Sequence, residues 1–138
     1  MDKLPGKYLS DLRSGYYKTV GKKDCLKPEF IVEYPKQIAI GLKDCNKNNL
    51  SQIWKFYDHA RRIQDNLNQK GEPFAALEAE LNILKPAVEY ALNRNTVTVM
   101  FKNFIDENVS QIRSREDLDA FIKHFQALIA YLPRENQK

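Results

Sequence analysis

The stretch LSQIWKFYDHARRIQDNLNQ, residues 50–69, decides the fold. Ile53, Phe56, Tyr57, Ala60, Ile63 and Leu67 recur three and four residues apart, which at about 100° per residue puts them on one side of a helix. The same stretch carries Lys55, His59, Arg61 and Arg62 around that apolar side. It reads either as a core helix with a solvated basic face or as a surface that grips a phosphate backbone.

The neighbouring segments follow the same period. EFIVEYPKQIAIGLKDC (29–45) places Phe30, Tyr34, Ile38 and Leu42 in register after Pro28, a residue suited to the first helical position. Pro35 must kink or split that helix. NKNN (46–49) is a turn, and KGEP (70–73) ends the 50–69 helix. A third helix is expected over about 74–93, with Leu77, Leu81, Leu84, Val88 and Ala91 as its stripe and Pro86 bending it from inside. A fourth spans about 96–112 through Val97, Phe101, Phe104, Ile105 and Ile112. Ser114 is an N-cap for the fifth, 115–132, whose first turn is acidic and whose stripe is Leu118, Phe121, Ile122, Phe125, Leu128, Ile129 and Leu132. Pro133 stops it before RENQK. No segment alternates convincingly with period two. The expected fold is all-α: a compact bundle of about five helices over 28–132. An N-terminal arm, 1–27, precedes it and a short tail, 133–138, follows, in one domain of 138 residues. The arm reads as mostly irregular, with at most a short turn of helix at KYLSDL, and Tyr8, Tyr16 and Tyr17 are candidates to pin it to the body.

Composition narrows the function. A hydrophobic fraction of 43% and a charged fraction of 29% exclude wholesale disorder. No apolar run reaches the ~18–20 residues of a membrane span. MDKLPGKYLSDL lacks a secretory h-region, so a cytoplasmic protein is expected, with Cys25 and Cys45 as reduced thiols. The net charge is +4, and residues 1–27 hold seven of the 22 basic side chains against three of the 18 acids, so the rest of the chain is neutral. A basic arm suits an anionic partner, although a solvated terminus has the same composition.

Enzyme signatures are missing. The chain has no Gly-rich phosphate loop, GxSxG, HExxH or CxxC. His59 and His124 fall on different helices, without the orienting partner a general base needs. No activity, cofactor or metal is expected. Helical wheels say more. Lys55 and Arg62, seven apart, share a face within about 20°; with Asp58 between them they also fit an intrahelical ion-pair ladder. Trp54 and Arg61 form a second seven-apart pair beside that face. Trp54 either packs under the arm or another helix, or marks a contact surface for a partner subunit or nucleic acid. Ile83, Ala87, Tyr90 and Arg94 make a second line on the third helix, away from its main stripe, which either lies in mid-bundle or faces a neighbour. On the last helix Lys123 lies opposite the core, and Ala120, His124, Ala127 and Tyr131 line a flank.

Three segments together resemble a known family. SQIWKFYDHARRI (51–63), LNILKPAVEYALNR (81–94) and FIKHFQALIAYL (121–132) are similar, in order and spacing, to the small subunit of type III-A CRISPR–Cas effector complexes, the Csm complexes. The Lys85-Pro86 pair inside a helix is the most specific element. YLSDLRSGYY (8–17) also looks like the family's N-terminal segment. Two positions depart: the family commonly has a basic residue where Trp54 stands and an acid where Gln126 stands.

The resemblance implies a non-catalytic subunit that lines a groove for the crRNA–target RNA duplex through sequence-independent backbone contacts. It also implies backbone subunits, a large subunit and further copies of the chain as partners. Lys55, Arg61, Arg62, Lys85, Arg94 and Lys123 are the nucleic-acid-binding candidates under this reading. The competing reading is a structural helical scaffold whose charges stay solvated.

Overall fold

The computed structural model describes residues 3–44 and 50–132. Cys45, the turn expected at 46–49, Pro133 and the RENQK tail lie outside them. The chain is mostly helical, as its periodicity implies, with a small hairpin near the N-terminus. In order, the elements are α1 (Gly6–Arg13), β1 (Tyr17–Val20), β2 (Lys23–Leu26), a 3-10 turn (Pro28–Phe30), α2 (Glu33–Asp44), α3 (Leu50–Lys70), α4 (Phe74–Asn82), α5 (Leu84–Asn93), α6 (Val99–Gln111) and α7 (Arg115–Tyr131).

α3 buries the six residues its period selects, and Gly71, at a φ of 66°, follows its last turn in the left-handed conformation that glycine adopts freely. Thr98 and Ser114 cap α6 and α7, accepting from the backbone N–H of Phe101 and of Asp117. The two prolines act where their missing N–H predicts. Pro35 sits in the first turn of α2, where no intrahelical partner is needed, so the segment from Pro28 divides into a 3-10 turn and a helix that starts at Glu33. Pro86 leaves the Asn82 carbonyl without its helical donor, and the expected 74–93 helix breaks at Ile83 into α4 and α5.

The arm corrects the sequence reading. It is not mostly irregular: an eight-residue helix and an antiparallel hairpin pair Tyr17 with Leu26 through Val20 with Lys23. The hairpin turns on Gly21 (φ 65°) and Lys22, with glycine at the first central position as a two-residue turn requires. Neither element is long enough to persist alone. Docking makes them: Leu4, Tyr8, Leu12 and Tyr16 are buried in the same apolar cluster as the bundle helices, and each such side chain stabilises the fold by about 1.5–3 kcal/mol. Tyr17, the third tyrosine expected to pin the arm, is half-buried and donates to the Glu116 carbonyl at 2.7 Å.

The arm docks through a closed polar network. His124 Nδ1–H donates to the Phe30 carbonyl at 2.6 Å. That fixes the tautomer and leaves Nε2 to accept from the Tyr8 hydroxyl at 2.8 Å. Asn108 Nδ2 donates to Tyr8 Oη and to the Phe104 carbonyl, both at 2.8 Å, and its Oδ1 accepts from Tyr16 at 2.7 Å. All these groups are buried, and each left unpaired would cost about 1–3 kcal/mol. The α7 flank of Ala120 and His124 is therefore interior, not free for subunit approach; only Tyr131, at its far end, stays exposed. Around it, α7 packs on α2 and α3, α5 on α6, and α1 on α6. Phe101, Phe104, Phe121 and Phe125 form the aromatic centre.

Burial pushes the His124 imidazole down to about pKa 4. The folded chain thus keeps it neutral until about pH 4, whereas the unfolded chain takes up the proton near pH 6.5. This contribution to stability is complete above about pH 6.5 and is lost as pH falls toward 4, amounting to roughly 3 kcal/mol. Urea unfolding of the wild type and His124→Gln at pH 7 and pH 5 checks it. The variant is expected to be weaker at pH 7 but flatter with pH; an equal pH slope in both would contradict the assignment.

Candidate nucleic-acid interface

The break at Ile83 shapes the surface between α3 and α5. α4 packs on α3 and α5 on α6, and a groove of about 640 Å³ lies between α3 and α5. From α3 it is lined by Gln52, Lys55, Phe56, Asp58, His59 and Arg62; from α5 and its C-terminus by Ala87, Tyr90, Ala91, Arg94 and Thr96. The α3 set follows from spacing, because residues three, four and seven apart share a face.

The α5 set is held by the helix end. Asn95 takes a φ of 61°, Thr96 N–H returns to the Ala91 carbonyl at 3.0 Å, and Asn95 N–H returns to the Leu92 carbonyl at 3.0 Å. This is the Schellman closure, with asparagine in the position that usually holds glycine. It leaves Arg94 as the last residue before the reversal, with its guanidinium 4.8 Å from the centre of the Tyr90 ring.

Electrostatically the groove carries a net positive charge, three cations against Asp58. The Lys55–Asp58–Arg62 ladder does not form: among the described residues ion pairs join Arg13 to Glu107 and Lys102 to Glu89 and Asp106, and none involves Lys55, Arg62 or Arg94. Asp58 tempers the charge without tying up either cation. His59, partly buried beside them, has its pKa lowered first by desolvation and then by the Arg62 charge, with Glu80 pulling the other way.

Of the six candidate contacts, the structure brings three together: Lys55, Arg62 and Arg94. Arg61 lies on the other flank of α3, its guanidinium 3.3 Å from the Tyr57 hydroxyl and near that ring. Trp54 stands edge-on to the same ring, 45% exposed, so it does not pack beneath the arm or another helix. Lys85 donates to Ser110 Oγ at 2.7 Å and ties α5 to α6. Lys123 is exposed on α7, apart from the groove. The sequence places His59 on the basic face of α3 and Tyr90 on the second line of the third helix, but does not single out either as a contact residue; both line the groove. The four-residue step from Tyr90 to Arg94 is the signal that marks the second. Among the described residues no three His, Cys, Asp or Glu side chains are grouped to hold a metal ion, and no helix is long and apolar enough to cross a membrane.

The family model for Csm2 Type III-A matches residues 26–137. The chain belongs to this family. It is thereby a small subunit of the type III-A CRISPR complex. Every groove residue falls within the match, and so does the Lys85-Pro86 pair. α1 and β1 fall outside it, so the similarity noted for residues 8–17 has no support from the match. No curated protein and no solved structure matches the chain.

The His59 environment offers a direct probe of the groove. Replacing Arg62 by Gln removes one depressing charge and leaves the burial, so the His59 pKa is expected to rise part of the way to its ordinary value. Titration of the imidazole by NMR checks it; an unmoved His59 would mean that Arg62 does not face the groove.

Proposed function

We propose that the protein is a non-catalytic, cytoplasmic subunit whose α3/α5 groove contacts the backbone of the crRNA–target RNA duplex in a type III-A interference complex. Backbone subunits, the large subunit and further copies of the chain would be its neighbours. The observation that carries the proposal is the convergence of Lys55, Arg62 and Arg94 in one groove, none of them ion-paired among the described residues. Three such cations on one surface offer positive charge to a phosphate backbone, and guanidinium suits bidentate phosphate contact. Such contacts hold any sequence equally, as a complex that reads its target by base pairing requires.

Charge reversal tests this. In the complex assembled with its crRNA, Arg62→Glu and Arg94→Glu are each expected to weaken target-RNA binding about tenfold, equally for unrelated matched targets, and to lower the salt slope by about one per lost contact. Lys123→Glu is expected to leave binding unchanged. A full-strength complex carrying both groove reversals would leave only the scaffold reading.

A further inference from the structure

Phosphate contact uses the rim of the groove but not its floor. Phe56, Ala87 and Ala91 line it together with Tyr90, and a volume of about 640 Å³ falls within the range of sites that enclose a small molecule. A track for phosphates alone gains nothing from apolar walls. Tyr90 is 61% exposed, a large aromatic surface left in water. Its orientation is not free, because Arg94 lies over the ring. Arg94 makes no hydrogen bond or ion pair through its side chain among the described residues, so its five N–H donors remain for an anion. His59, whose charged form is disfavoured by burial and by Arg62, makes no hydrogen bond among the described residues and offers its ring nitrogens in the groove that Gln52 and Thr96 also line.

Stacking surface, cations and small polar groups at an edge are the three components that hold a nucleotide whose base is unstacked. A paired base inside a duplex cannot enter, because its faces are already covered. We propose that the groove takes one unpaired RNA nucleotide, its base against Tyr90 and the apolar floor and its phosphate on Lys55, Arg62 and Arg94. The proposal rests on the reading of this groove as an RNA contact and adds what that contact selects.

The test uses the full chain and three probes of equal length: single-stranded RNA, duplex RNA and a ribose-phosphate strand without bases, each followed by fluorescence anisotropy. Tyr90→Ala is expected to weaken single-stranded RNA about tenfold, the scale of one base–aromatic stack, and to leave the duplex and the abasic strand unchanged. Tyr90→Phe is expected to restore single-strand binding. Tyr90 is a surface residue, so circular dichroism and melting serve as the folding control. If Tyr90→Ala binds single strands as the wild type does while Arg62→Glu binds them more weakly, the nucleotide pocket is wrong and the backbone contact stands. If neither variant changes RNA binding, both fall.

Discussion

Pro86 has no N–H to give the Asn82 carbonyl, and the surface architecture follows from that one missing donor. A continuous helix over 74–93 would run straight along its neighbours. The break at Ile83 divides it into α4, which packs on α3, and α5, which packs on α6 and supplies one wall of the groove. A proline inside a helix costs roughly 3 kcal/mol where nothing compensates. Here both halves keep buried stripes, Leu77 and Leu81 on α4 and Leu84, Val88 and Ala91 on α5, so apolar packing offsets the lost bond. The Asn95 closure at the other end of α5 then fixes where Arg94 stands. Two local backbone constraints, at Pro86 and Asn95, thus position the α5 wall of the site.

The docking of the arm is organised by satisfaction, not by a break. Tyr8, Tyr16, Asn108, His124 and the Phe30 and Phe104 carbonyls exchange every hydrogen bond among themselves. A neutral, buried imidazole joined to the arm through Tyr8 and to the 3-10 turn through the Phe30 carbonyl, with Tyr8 joined in turn to Asn108 of α6, makes the docked position of the arm specific, because any displaced arrangement leaves polar groups unpaired in a dry environment. This is also why the chain has one buried and one surface histidine with different roles. His124 is structural, and His59 belongs to the groove.

Much of this was legible in the residues. The stripe of α3, the caps at Ser114 and the actions of Pro35 and Pro86 come from local rules, and local rules act wherever the sequence places them. The arm was not legible, because Tyr8 and Tyr16 are ordered by partners about 100 residues away, and a window of eight residues carries no trace of Asn108 or His124. The site divides in the same way. That Lys55 and Arg62 share a face is helical arithmetic. That Arg94 joins them, and that Arg61, Lys85 and Lys123 do not, depends on how α5 and α7 pack against α3, which no wheel of a single helix contains.

The central claim is that the α3/α5 groove, and not another basic surface, meets RNA in the assembled complex. Photo-crosslinking with a target RNA carrying 4-thiouridine, followed by peptide mapping of this subunit, tests it most directly. The account predicts crosslinks on the peptides that carry Lys55–Arg62 and Tyr90–Thr96. Crosslinks confined to α7 around Lys123 or to the N-terminal arm, with the groove peptides clear, would contradict it.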